Sequence, residues 1–286
     1  MLRKIRLTAA IVCFVLITLL FLDFTGTLHG WFGWLAKIQF LPAVLALNVG
    51  VVLFLVLLTL AFGRIYCSVI CPLGVFQDVI ARVGRRGKKL PYSYSPALSW
   101  LRYGILAVFI LALVAGIGSL VALLAPYSAY GRIANNLFQP LWMWGNNLLA
   151  YLAARMESYA FYEVDVWMKS LPTFLVALAT TVVLIVLAWR NGRTYCNTIC
   201  PVGTVLGFIS RFSLYRITID TDKCNGCGLC ARQCKAACID SKEHKVDGSR
   251  CVACMNCLEV CRKDALRYAP VWKTKKQAIG EKQPAP

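Results

Sequence analysis

Eight of the fourteen cysteines fall into two runs of one spacing. Residues 224–234 read CNGCGLCARQC and residues 251–261 read CVACMNCLEVC, each Cys-x2-Cys-x2-Cys-x3-Cys. Three cysteines at x2 spacing wrap a loop around one cubane. The fourth, after x3, leaves on a short helix and reaches the other cluster. The spacing predicts two 4Fe-4S clusters. Cys224, Cys227, Cys230 and Cys261 are expected to hold the first, and Cys251, Cys254, Cys257 and Cys234 the second. Zinc is the competing reading, but zinc prefers pairs of Cys-x2-Cys at longer separations. Lys235 and Arg262 stand where a proline usually follows the fourth cysteine. The ligands are unaffected, and the cations are expected to raise the potentials. Cys238 has Ala265 as its counterpart and reads as a packing residue.

The rest of the chain calls for a different solvent. Overall 59% of residues are hydrophobic and mean hydropathy is +0.63, above the 45–50% apolar content usual for soluble domains. The excess lies in four blocks, 7–22, 41–62, 103–125 and 171–189. A helix needs about 20 apolar residues to cross the hydrocarbon core, so four transmembrane spans are expected. The first block is short and follows Arg3, Lys4 and Arg6, as a signal peptide would. No small-residue cleavage site follows; the chain runs Asp23-Phe24-Thr25-Gly26. An uncleaved span is therefore expected. Residues 137–154 are apolar but interrupted by Gln139, Pro140, Asn146 and Asn147, and they carry Trp142, Trp144 and Tyr151. They read as an interfacial helix on the outer face.

With four spans and an inner N-terminus, the outer segments 23–40 and 126–170 hold only Lys37, Arg132, Arg155 and Lys169, and the other 27 of the 31 basic residues lie inside. The positive-inside rule then puts both termini and the cysteine runs in the cytoplasm of a cell with an inner membrane, where disulfides are disfavoured. The net charge of +18 is assigned to lipid and topology. No basic stripe interleaved with aromatics marks a nucleic-acid surface, so no nucleic-acid partner is expected.

An internal repeat completes the pattern. Residues 63–74 read GRIYCSVICPLG and residues 192–203 read GRTYCNTICPVG, each directly after an apolar block. Two spans per unit make a parallel repeat, so both motifs emerge on one face. Cys67, Cys71, Cys196 and Cys200 are thereby candidates for one shared site. Four thiolates suit an iron-sulfur or metal site; structural capping of the span ends is the alternative. Gly63, Gly74, Gly192 and Gly203 are expected to make turns. Cys13 lies alone in the first block and reads as a core residue. His29 and His244 lie outside the blocks, so no haem is expected. No Gly-x-Gly-x-x-Gly follows a strand, so no dinucleotide fold is expected.

This layout resembles the NapH/MauN-type membrane polyferredoxins, a group that takes in the membrane part of NosR-type proteins and the oxidase accessory protein CcoG. The resemblance rests on the four apolar blocks, the paired Cys-x3-Cys-Pro motifs and the C-terminal double cysteine run. It implies an all-α four-helix transmembrane bundle (1–210) built from a parallel two-helix repeat. An α+β bacterial-type ferredoxin domain (211–270) and a flexible basic tail (271–286) follow. It also implies electron transfer between the quinone pool and a redox partner protein, as a quinol dehydrogenase subunit would perform. No flavin domain like that of NosR is found in these residues. Two other functions stay open: a copper-reducing assembly factor using the Cys-x3-Cys-Pro thiols, and a cluster-based redox sensor.

Overall fold

The computed structural model describes residues 2–23, 26–84, 91–156, 162–166 and 170–272. The basic residues Arg85, Arg86, Lys88 and Lys89, and residues 273–286 of the expected tail, lie outside these.

The helical part consists of two similar units. The first runs α1 (Leu2–Leu22), α2 (Thr27–Phe32), α3 (Trp34–Lys37), α4 (Phe40–Leu45), α5 (Val49–Phe62), α6 (Ile65–Val69) and α7 (Pro72–Gly84). The second runs α8 (Ser99–Val114), α9 (Gly118–Leu124), α10 (Pro126–Ile133), a π-helical turn (Ala134–Phe138), α11 (Gln139–Arg155), α12 (Leu171–Asn191), a second π-helical turn (Tyr195–Ile199) and α13 (Pro201–Ser210). Gln39 and Ala125 interrupt their units at matching points, each in extended conformation. Among the described residues, α1 and α12, each of 21 residues, are long and apolar enough to cross a membrane. Their outward faces carry Ile11, Val12 and Val15, and Val182, Val183 and Val186, all about half exposed. Exposed apolar stripes of this kind mark a membrane or partner surface.

The second and third blocks depart from the expected continuous spans. In 41–62, Leu47 takes φ of 52°, and Asn48 caps the restarted helix by accepting from the Val51 N–H. The Tyr66 hydroxyl then accepts from the Phe40 N–H at 3.0 Å and donates to Gln39 Oε1 at 2.9 Å. A straight helix from 40 to 62 would separate those ends by about 33 Å. Helix α4 therefore folds back along α5, and the segment expected as an outer connection, 23–40, returns to the first motif.

The block 103–125 breaks in the same way at Gly116, with φ of 72°. Arg102 at its start reaches the Gly203 carbonyl (3.4 Å), and Leu124 at its end accepts from the Tyr195 hydroxyl (3.5 Å). Both partners belong to the second motif. Helices α5 and α8, of 14 and 16 residues, are about 21 and 24 Å long, short of the ~30 Å core. Hydropathy over a window sees the apolar run but not its reversal.

The C-terminal part is a small α+β unit. β1 (Tyr215–Ile219) pairs antiparallel with β4 (Leu266–Pro270), and β2 (Ile239–Asp240) with β3 (Lys245–Val246). The short helices α14 (Leu229–Arg232) and α15 (Asn256–Val260) carry cysteines of the two runs. This unit sits on the motif end of the helices. The Leu60 carbonyl accepts from the Leu214 N–H (2.7 Å), the Phe62 carbonyl from the Tyr268 hydroxyl (2.9 Å), and Arg3 of α1 pairs with Glu259 of α15.

Candidate redox sites

The first cysteine quartet surrounds a cavity. Cys224, Cys227, Cys230 and Cys261 line a space of about 320 Å³ together with Leu229, Ala265 and Leu266. Cys227 is exposed, and Cys224 and Cys261 are partly so. The two cysteine loops share one backbone shape. Gly226 and Gly228 take φ of 68° and 70°, and the matching Ala253 and Met255 take 48° and 61°. Left-handed residues other than glycine are uncommon and cost energy. Alternating right- and left-handed residues turn successive N–H groups into a concave nest that favours an anion, as iron-sulfur sites use. The loops thus fit an anionic thiolate cluster.

The second quartet is more deeply placed. Cys234, Cys254 and Cys257 are buried. Burial pushes the Cys257 thiol up, and its neighbours Cys254, Cys251 and Cys234 push it further, which places the four in one electrostatic group. Cys238 is buried with its sulfur 3.5 Å from that of Cys234. Among the described residues no group of three or more His, Cys, Asp or Glu closes around a single metal ion. A cubane takes its ligands at separate iron corners, so its thiolates stand wider apart than those of one ion.

The two Cys-x3-Cys-Pro motifs meet. Arg64 opens the first and Arg193 the second, and each reaches across to the other. Arg64 Nη2 donates to the Cys196 carbonyl at 3.1 Å, and Arg193 Nη1 to the Cys67 carbonyl at 2.6 Å. Both side chains are fully buried. Gly74 and Gly203 make room for the exchange. A Cβ at Gly74 would press on the Cys67 carbonyl and lie 2.8 Å from Arg193, and one at Gly203 would press on the Cys196 carbonyl and lie 2.9 Å from Arg64. These two glycines are helical and serve close approach, correcting the expected turns. Gly63 and Gly192, with φ of 72° and 71°, do turn the chain out of α5 and α12.

The four sulfurs form one buried group; Cys67, Cys71, Cys196 and Cys200 are 3–4% exposed. Burial pushes Cys71 up, followed by repulsion from Cys196 and Cys67. Cys200 is raised by burial and then by Cys196, Cys71 and Cys67. Deprotonating four such thiols together requires compensating positive charge. Arg64 Nη2 lies 3.9 Å from Cys67 Sγ, and Gln77 donates to Cys196 Sγ at 3.2 Å. On the other side, Asp78 receives Arg6, Arg193 and Lys235 at 2.8, 2.8 and 3.0 Å. Burial opposes the Asp78 charge, but Arg193, Lys235 and Arg6 outweigh it and hold the carboxyl well below the usual range.

The second quartet adjoins this site. Cys254 packs in the same core as Cys67, Cys71 and Cys200. The Lys235 carbonyl accepts from the Arg193 N–H (2.9 Å), and the Ser249 carbonyl from Arg64 (3.1 Å). The arginines, Gln77 and Asp78 were not among the sequence candidates. The Gly-Arg opening of both dodecapeptides was the available signal for Arg64 and Arg193. Cys13 is half-buried in α1. His29 lies 3.5 Å from Asp23, and His244 sits near the β2–β3 turn, so neither joins the cysteine groups.

Comparison with known proteins agrees with this arrangement. A family model described as a 4Fe-4S binding domain matches twice, at residues 44–91 and 173–219, each stretch containing one Cys-x3-Cys-Pro motif. A second model, also a 4Fe-4S binding domain, matches residues 217–240. The chain is 29% identical to the ferredoxin-type protein NapH of Haemophilus influenzae, over 80% of this chain and 70% of that protein. It is 25% identical to the methylamine utilization ferredoxin-type protein MauN of Paracoccus denitrificans, over 76% and 64%. It is likewise 25% identical to the regulatory protein NosR of Stutzerimonas stutzeri, over 79% of this chain but 27% of that protein. No solved structure matches.

Proposed function

Because this chain belongs to the NapH/MauN-type polyferredoxins, a family related to NosR, we propose that it is a membrane-bound relay. It passes electrons between the quinone pool and a redox partner protein through three 4Fe-4S sites. Cys224, Cys227, Cys230 and Cys261 hold the outermost cluster. Cys251, Cys254, Cys257 and Cys234 hold the middle one. Cys67, Cys71, Cys196 and Cys200 hold a third at the membrane surface. Each bound cluster supplies a one-electron redox centre.

The observation that carries this reading is the exchange of Arg64 and Arg193 between the two motifs. It clamps two dithiol pairs, far apart in sequence, into one buried group. The chain's own groups then do three things. Arg64 supplies positive charge beside Cys67. The docked Lys235 and Ser249 carbonyls hold the middle quartet against the motif arginines. The partly exposed Cys224, Cys227 and Cys261 bring the outer end of the row to the surface. Burial of the four motif thiols favours the relay over copper reduction, which needs thiols open to the metal.

The contact of Arg3 with Glu259 supports one side for the N-terminus and the ferredoxin unit. With the basic-residue asymmetry, that side is the cytoplasmic face of the inner membrane. Helices α1, α5, α8 and α12 form the embedded bundle. Helix α11, with Trp142, Trp144 and Tyr151 exposed, lies along the outer interface.

The test is reduction of anaerobically purified protein by a short-chain quinol, followed by EPR. Cluster signals are expected to appear with quinol alone. Clusters that respond to dithionite but not to quinol would overturn the quinone coupling.

A further inference from the structure

A second polar site lies among the membrane-part helices. A cavity of about 400 Å³ opens between the end of α1, the α10–π-turn segment and the start of α12, lined by Tyr127, Ser128, Arg132, Asn135, Asn136 and Thr173. A concave site with a few convergent polar groups is the usual form of a small-ligand site. The Ser128 and Asn135 side chains make no hydrogen bond among the described residues, and the buried Arg132 Nε has no partner. Asn135 and Asn136 stand in the π-helical turn Ala134–Phe138, a distortion that recurs at functional sites.

The cavity is joined to the cysteine site. Arg132 donates to the Ala122 carbonyl (2.6 Å) and the Leu123 carbonyl (3.2 Å), and Tyr195 to the next one, Leu124 (3.5 Å). Tyr195 immediately precedes Cys196.

We infer that this cavity is the quinone-headgroup site of the relay, with Arg132 Nε, Asn135 and the Tyr127 and Ser128 hydroxyls offering donors to the two quinone oxygens. The inference rests on the quinone-linked reading above and adds its location. The volume is in the range of small-ligand pockets. The Asn135 amide and the Tyr127 and Ser128 hydroxyls can both donate and accept, as a ligand that alternates between two carbonyls and two hydroxyls requires. A lipid phosphate fits less well: the Arg132 guanidinium is mostly spent on backbone carbonyls, and among the described residues no second cation lines the cavity. Arg132 of the cavity and Tyr195 of the cysteine motif meet on consecutive carbonyls of α9, Leu123 and Leu124, which connects the two sites.

The experiment uses the full chain in lipid nanodiscs and the fluorescent quinol analogue 2-heptyl-4-hydroxyquinoline N-oxide, read by quenching. Ser128→Leu and Asn135→Leu fill the cavity and remove donors that hold no other element in place. Each is expected to raise the Kd at least tenfold, with the dithionite-reduced EPR spectrum unchanged. If both variants bind the analogue as the wild type does, while quinol still reduces the wild-type clusters, this location is wrong and the quinone-linked reading stands. If the wild type neither binds the analogue nor is reduced by quinol, both fall.

Discussion

Asp78 and Gly207 hold the same position in the two repeats and give the two halves of the cysteine site unequal charge. Asp78 neutralises Arg193 (2.8 Å). At Gly207 there is no side chain, and the Arg102 guanidinium lies against the space a Cβ would take. Arg64, the counterpart of Arg193, consequently has neutral partners: Asn197, the Ser249 and Cys196 carbonyls and Cys67 Sγ. The pseudo-two-fold site carries an uncompensated cation on one side.

That cation stabilises added negative charge. Replacing Arg64 with Gln is expected to lower the midpoint potential of the motif cluster. A unit charge some 6 Å away at an effective dielectric near 20 contributes about 3 kcal/mol, on the order of 100 mV for one electron. Potentiometric EPR titration measures this. An unchanged potential in a variant that retains its iron would show that Arg64 is only a clamp.

Asp78 has the opposite weight. Asn at this position leaves Arg6, Arg193 and Lys235 without their shared carboxylate, and removal of one member of a buried ion group costs about 3–5 kcal/mol. The sign of the pH dependence follows from the depressed carboxyl. Its stabilisation is present above the unfolded value of about 3.9 and is lost as pH falls below it. Thermal melts in detergent are expected to drop below about pH 4 in the wild type. The Asp78→Asn variant melts lower at neutral pH, with a weaker acid dependence.

Gly203→Ala tests the close approach of the repeats. The added methyl meets the Cys196 carbonyl, which is backbone and cannot swing away, and Arg64 at 2.9 Å. Overpacking of this kind costs about 1–3 kcal/mol. The substitution is expected to lower the melting temperature and loosen the motif cluster, whereas Gly104→Ala, with nothing within 4 Å, is expected to do neither.

What was legible in the chain was what is local or repeated. The Cys-x2-Cys-x2-Cys-x3-Cys runs fix loop shape within a dozen residues, and the four cysteines of the first quartet line one cavity. The paired dodecapeptides announced a parallel repeat, and the two motifs do meet. The reversals at Leu47 and Gly116 were hidden because hydropathy is a property of composition. A hairpin of two short apolar helices scores like one long span. The Arg64–Arg193 exchange was out of reach for another reason: it depends on how two units far apart in sequence are turned toward each other. The roles of Asp78 and Gln77 follow from that same pairing.

Iron content separates the three sites. Three 4Fe-4S clusters correspond to about twelve irons per chain. The proposed motif cluster would be bound by two cysteines from each repeat, so removing one pair member on each side leaves only two thiols. Cys67→Ser with Cys196→Ser is expected to reduce the content to about eight, leaving the EPR signals of the ferredoxin quartets intact and abolishing their reduction by quinol. Cys227→Ser acts at the surface end of the row, so it is expected to remove or convert one cluster while the inner two are still reduced by quinol. Cys254→Ser interrupts the row in the middle, where Cys254 packs against the core that holds Cys67, Cys71 and Cys200. Quinol is then expected to reduce the motif cluster alone. About eight irons in the wild type would show that the buried motif thiols hold no cluster. Full quinol reduction of the outer cluster in the Cys254→Ser protein would show that the three sites do not act in the order their packing suggests.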